Sequence, residues 1–259
     1  MDLGIDGRRA LVMGASRGLG HACALALAHE GVAVTIVARD PGRLARAAAR
    51  IRDETGSGAT PVAADFRTPA GRDAALAACP APDILVTSAE GFPPGDFRDY
   101  SREDWIAAVD DMMLGPIELM KRTVDGMIAR RFGRIVNVVS RSVKSPQGDL
   151  PLSNGARAGL IGFVAGLARQ TVKHNVTINN LLPGIFASDA QRRHVDALVA
   201  LTGRTFDDIW DERARANPAG RYGAPDELGA ACAYLCSAQA GYVTGQSLLI
   251  DGGGYPGTF

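Results

Sequence analysis

The stretch VMGASRGLGHA, Val12–Ala22, sets Gly14, Gly18 and Gly20 between an apolar run and a helical pattern. The run before it, RALVMG, is short and stops at glycine; the segment after it, LGHACALALAHEG, has helical periodicity and ends on Gly31. Glycines at such a junction permit a tight turn and let a pyrophosphate approach the backbone N–H groups of the helix N-terminus. A glycine triplet alone is a weak signal, but between strand and helix it has the context a dinucleotide turn requires.

Outward from this turn, strand and helix patterns alternate. VAVTIVAR (32–39) is apolar and β-branched, as a buried parallel strand should be. PGRLARAAARIRDETG (41–56) begins with Pro41 and stops on Gly56. A weaker strand (59–65), a helix (69–79) and the strand DILVTSA (83–89) follow. Residues 102–131 read as one helix bent near Gly115-Pro116, because Pro116 lacks an N–H. GRIVNVVS (133–140), a helix over 154–175, VTINNLLPG (176–184), a helix over 225–237 and GQSLLIDGG (245–253) complete the series. Residues 186–220 are polar and less regular, the expected substrate lid. The alternation predicts an α/β fold: a single-domain, Rossmann-type doubly wound parallel sheet over residues 1–259.

The 259 residues suffice for one substantial core, and 46% are hydrophobic. The formal net charge is zero, which gives no electrostatic argument for nucleic acid or an anionic membrane. No signal-peptide pattern opens the chain and no charge-free apolar stretch is long enough to span a bilayer, so a cytoplasmic protein is expected. Four cysteines do not make a disulfide framework; Cys232 and Cys236 fall on one helix face as small core residues. His21, His29, His174 and His194 show no metal-ligand spacing, so no metal site is expected.

Charge near the adenosine ribose decides between the two nicotinamide dinucleotides: an acidic side chain suits a free 2′-hydroxyl, arginine a 2′-phosphate. Arg39 ends the second strand and Arg17 lies in the glycine turn, so two guanidinium forks can converge on one phosphate. Asp40 follows directly, leaving NAD(H) open while NADP(H) is favoured.

The glycine turn, GRIVNVVS, INNLLPG and YVTGQSLLIDGG together resemble the short-chain dehydrogenase/reductase family, from about Arg9 to Gly254, and most closely its 3-oxoacyl-thioester reductases. The resemblance implies a cofactor site of Gly14, Ser16, Arg17, Gly18, Leu19, Gly20, Arg39, Asp65, Phe66, Ser88 and Ala89. Pro183, Gly184, Ile185 and Ser188 would complete it, with Ile185 addressing the nicotinamide carboxamide. It also implies a homodimer or homotetramer through the 103–131 and 154–173 helices, and a small-molecule substrate.

The family's catalytic quartet is Asn, Ser, Tyr and Lys. Matched by motif, those places are Met112, Ser140, Ser153 and Arg157, and the family's Asn-Asn-Ala-Gly stretch appears as Thr87-Ser88-Ala89-Glu90. Serine is a far weaker acid than a phenol, and arginine stays protonated, so Ser153 would act through water and Arg157 would hold ribose without relaying a proton. Lys144 in SRSVKSP is a candidate replacement acid, with Ser142 a weaker one and Glu90 and Asp149 the nearest candidate carboxylates. Arg192 and His194 in the lid are candidate substrate contacts, although a histidine such as His194 is more often just exposed. Three readings stay open: an NADP(H)-dependent oxidoreductase of carbonyls or alcohols with an atypical site, a catalytically silent nucleotide-binding scaffold, and a non-redox lyase or isomerase.

Overall fold

A computed structural model describes residues 2–258. Seven strands among them form one parallel sheet: β1 (Arg9–Met13), β2 (Ala33–Ala38), β3 (Ala59–Ala63), β4 (Ile84–Ser88), β5 (Gly133–Val138), β6 (Val176–Pro183) and β7 (Ser247–Ile250). Their spatial order is β3-β2-β1-β4-β5-β6-β7, so the order reverses between β1 and β4. The crevice above that reversal, at the carboxyl ends of the strands, is where such sheets bind ligands.

Side chains two apart along a strand reach the same face, and the core divides accordingly. Ala10 and Val12 of β1, with Val34 and Ile36 of β2, pack under α1 (Gly18–His29), α2 (Pro41–Thr55) and α9 (Pro225–Cys236). Leu11 and Met13, with Leu85 and Ile135, pack under α3 (Pro69–Ala78), α5 (Gly115–Arg130) and α6 (Pro151–Thr171). Cys23, Cys79, Cys232 and Cys236 are free and buried, as small core residues.

One polar line crosses this interior. Thr87, Asn137, Asn180 and Ser247 stand in register on β4, β5, β6 and β7. Thr87 donates to Asn137 (2.7 Å), whose amide donates to Asn180 (3.1 Å), whose amide donates to Ser247 (3.2 Å). Buried polar groups satisfied in series fix strand register more sharply than apolar contacts do.

Two expectations are corrected. The segment 102–131 is α4 (Arg102–Val109), a five-residue π-helical turn (Asp110–Leu114) and α5; Pro116 stands in the first turn of α5, where no N–H is needed. Residues 186–220 are more regular than their polarity implied: they hold α7 (Asp189–Thr202), capped by Ser188, and α8 (Phe206–Ala216), capped by Thr205.

Candidate active site

The glycine turn works by close approach. Gly14 has φ +67°, and a Cβ there would stand 2.3 Å from the Ser88 carbonyl oxygen; a Cβ on Gly20 would stand 2.5 Å from the Gly14 carbonyl oxygen. No side chain therefore fits between the turn, β4 and α1. Among the described residues no side chain caps α1, so its first N–H groups are left for an anion.

Two adjoining cavities open from this end of the sheet. The smaller, about 290 Å³, is walled by fourteen of the sixteen residues expected to hold cofactor: Gly14, Ser16, Arg17, Gly18, Leu19, Gly20, Arg39, Asp65, Phe66, Ser88, Ala89, Arg157, Pro183 and Ser188. The larger, about 580 Å³, takes the other two, Gly184 and Ile185, together with Ser140 and Ser153. Arg157, Pro183 and Ser188 wall both, so they mark the junction. The cradle of glycines, the open helix N-terminus and the arginines fit a phosphorylated dinucleotide.

Asp40, the acidic residue that left the plain dinucleotide open, has other work. Its carboxylate accepts from the Arg43 N–H (2.9 Å) as the cap of α2, and this bond holds its pKa below the usual carboxylate range. Arg17 and Arg39 instead converge on Glu90, at 3.3 Å and 3.5 Å, and Arg193 of α7 joins them on the same carboxylate. Glu90 is thus a hub for three guanidinium groups rather than a free acid.

Arg157 lies buried at the junction. Its Nε donates to Ser153 Oγ (3.0 Å), Nη1 to the Val139 carbonyl (2.7 Å) and more weakly to that of Val138 (3.4 Å), and Nη2 to the Ala89 carbonyl (3.0 Å). Burial lowers its pKa to about 10, with Asp111 opposing. Ser140 Oγ accepts from the Ser142 N–H (3.1 Å), capping a short 3₁₀ turn over Arg141–Val143. Ser142 is buried beneath it, outside both cavity walls. Met112 packs in an apolar cluster with Ala108, Leu152 and Ala156.

Lys144, the proposed replacement acid, is corrected: it ends that 3₁₀ turn and walls neither cavity, because the Ser140 cap winds the chain before it reaches Lys144. Asp149 also lies outside both walls, and Arg192 stacks on Trp210. His194 is half-buried in the wall of the larger cavity rather than exposed; burial and Arg213 lower its pKa, and Asp149 raises it.

Sequence reading missed Asp111 altogether. It sits in the π turn and walls the smaller cavity; burial raises its pKa against the pull of Arg67, Arg157 and Arg39. A π turn, often found at functional sites, is the local feature that carries it there.

Comparison with known proteins agrees with this geometry. The family model described as Enoyl-(Acyl carrier protein) reductase matches residues 14–254. The chain is 30% identical over 251 residues to the NADPH-dependent reductase BacG of Bacillus subtilis, covering 95% of this chain and 97% of that protein. It is 32% identical over 263 residues to the 3-oxoacyl-(acyl-carrier-protein) reductase FabG of Vibrio cholerae, covering 98% and 99%. The L-sorbose reductase of Gluconobacter frateurii, solved with NADPH and L-sorbose, superimposes with TM-score 0.91 at 30% identity, covering 97% of this chain and 98% of that one. With sheet order, glycine turn and near-complete family match in agreement, the chain belongs to the short-chain dehydrogenase/reductase family.

Proposed function

We propose that this protein is an NADP(H)-dependent oxidoreductase of carbonyl or alcohol substrates whose site uses a serine–arginine pair, Ser153 and Arg157, where its family uses tyrosine and lysine. The observation that carries the reading is the junction: the cleft walled by the glycine turn, Arg17 and Arg39 opens, at Arg157, into the larger cavity walled by Ser140 and Ser153. NADPH-dependent relatives and neighbours support the choice of cofactor.

A bound dinucleotide would supply hydride. Arg17 and Arg39 would hold its 2′-phosphate, and the α1 N-terminus its pyrophosphate. Because Ser140 Oγ and Ser153 Oγ each accept a bond from the protein, each keeps its own hydroxyl hydrogen to donate to a carbonyl oxygen. Donation from the Arg157 cation polarises Ser153 and favours negative charge developing on that oxygen. The proton that completes reduction enters from water through Ser153. Losing a positioned general acid costs roughly 10²- to 10⁴-fold, whereas alignment supplies about 7–11 kcal/mol, so a slow or specialised reductase remains.

Residues 186–220 act as the lid, since α7 presents Gln191, Arg193 and His194 to the larger cavity. A second copy packs on the α4–α6 side, where Ile106, Leu114 and Phe163 are exposed. Free buried cysteines accord with a reducing, cytoplasmic setting; among the described residues no helix is long and apolar enough to cross a membrane.

Calorimetric titration of nucleotide-stripped protein tests the reading. NADPH should bind more tightly than NADH, and Arg39→Ala should remove about 10- to 100-fold of NADPH affinity while sparing NADH, the worth of hydrogen bonds to a charged group. Equal affinity for the two nucleotides, unchanged in Arg39→Ala, would overturn the NADP(H) assignment. Reversible nicotinamide absorbance change over a carbonyl and alcohol panel then tests turnover.

A further inference from the structure

The proposed reaction explains the floor of the larger cavity but not its lid side. There the wall is cationic and short of partners. Arg141, Arg157, Arg193 and Arg213 face two carboxylates, Glu90 and Asp196. Glu90 is taken by Arg17, Arg39 and Arg193 at the cofactor end. Asp196 is exposed on α7. Arg141 and Arg213 enter no ion pair among the described residues.

Two donors on this wall are buried without acceptors: Arg213 Nε on α8 and Gln191 Nε2 on α7. A buried donor left unmatched carries its full desolvation cost, and a charged one carries more. The Arg213 guanidinium does reach the Tyr222 hydroxyl, lowering a phenol pKa that burial otherwise raises, but a neutral hydroxyl does not offset its charge. His194, on the same wall, is pushed toward its neutral form by burial and by Arg213. A guanidinium whose Nε is unmatched and an amide nitrogen without an acceptor, beside Arg141, which enters no ion pair among the described residues, have donors that a carboxylate satisfies with both oxygens.

We propose that the lid end of the larger cavity is a carboxylate-recognition site, so that the substrate is a small oxo acid or hydroxy acid rather than a neutral ketone or sugar. Arg213 and Gln191 take the carboxylate, Arg141 adds positive field, and the reacting carbon points toward Ser140 and Ser153. This rests on the oxidoreductase reading for the reaction, but not for the binding of the acid. Recognition from α7 and α8 also gives the lid a reason to close, because seating the anion satisfies donors that both helices carry.

The test is calorimetry with 2-oxohexanoate, 4-oxopentanoate and 5-oxohexanoate, each beside its methyl ester, on nucleotide-free protein and on protein with NADPH. At least one acid should bind ten-fold or more tightly than its ester. Arg213→Gln should abolish that difference, Arg213→Lys should restore part of it, and NADPH affinity should stay unchanged in both. Gln191→Glu, which sets a like charge against the carboxylate, should weaken the acid and leave the ester alone; it keeps the test decisive where an Arg213 variant melts early. Esters binding as well as acids, an acid preference that survives Arg213→Gln, or dihydroxyacetone phosphate binding more tightly than every carboxylate would each overturn the proposal. Failure of NADPH to bind would count against the cofactor reading alone, since the acid–ester comparison on nucleotide-free protein still decides this one.

Discussion

Replacing Glu90 by glutamine should tighten NADPH binding, although Glu90 lies inside the cofactor cleft and makes three ionic contacts there. Arg17 and Arg39 sit 3.3 Å and 3.5 Å from the two Glu90 carboxylate oxygens, and Arg193 shares the nearer one. These are the guanidinium groups that a 2′-phosphate needs, so the carboxylate competes with the ligand for its own partners. All four side chains are partly exposed, and pairs of that kind are worth about 0.2–1 kcal/mol each. Releasing the two that face the phosphate then returns about 0.4–2 kcal/mol, roughly a 2- to 30-fold gain in affinity. Glutamine keeps the shape and removes the charge, so the gain reports on charge alone. It should be larger for NADPH than for NADH, and it should shrink at 0.5 M salt because screening shortens the reach of surface charges. Calorimetry with both nucleotides at low and high salt reads all three quantities. A loss of NADPH affinity would mean that Glu90 organises the arginines instead of occupying them, and an equal gain for both nucleotides would sever it from the 2′-phosphate.

Arg157→Ala leaves four oxygens, Ser153 Oγ and the Val138, Val139 and Ala89 carbonyls, without their donor. At about 1–3 kcal/mol for each buried group left unmatched, offset by water entering the space, a loss of about 3 kcal/mol is expected. In a chain of this size that is a Tm lower by roughly 6–12 °C, with Arg157→Lys intermediate; an unchanged Tm would refute the anchoring role. Asp111 gives a pH-dependent prediction. Burial raises its pKa more than the three nearby arginines lower it, so folded Asp111 keeps its proton to higher pH than the unfolded carboxyl at about 3.9. Stability is therefore lost as pH rises above about 3.9 through the raised value. Asp111→Asn should melt higher than the parent at pH 7, and the gap should close toward pH 4; a variant destabilised equally at every pH would contradict this.

The fold was legible wherever one residue type does one local job. Apolar central strands, Pro41, Pro69 and Pro225 at helix starts and Gly56 at a helix stop marked several elements, and the glycine turn marked the ligand end of the sheet. Legibility failed where a local pattern has two solutions. A helical stretch with Gly115-Pro116 reads as a kink at the proline, yet the irregularity is the π turn over Asp110–Leu114 just before it, and this turn holds Asp111 in the wall of the cleft. Polarity over 186–220 reads as loop, although Ser188 and Thr205 cap two amphipathic helices there. The Glu90 hub was out of reach for another reason: its partners come from residues 17, 39 and 193, and no spacing in the chain records that meeting. The Thr87–Asn137–Asn180–Ser247 line is similar, since asparagine in a strand looks like a flaw until its register partners are known.

The Ser153–Arg157 pair then reads as a division of labour different from that of tyrosine and lysine. A phenol and an amine can both exchange protons, so their pair moves charge during the reaction. Arg157, even with burial lowering its pKa to about 10, is neutral in only about one molecule in a thousand at pH 7. It is a fixed charge, immobilised by three main-chain carbonyls that come from the last residue of β5, from the residue after it and from the residue after β4. Such a group contributes field and position but no proton, and preorganised charge of this kind is a large term in catalysis beside the roughly 3–5.5 kcal/mol of a general acid. A fixed cation also favours a substrate that brings negative charge with it. The same arginine that weakens the case for a general acid thereby agrees with the unpaired donors on the lid, and both point the cavity toward anions.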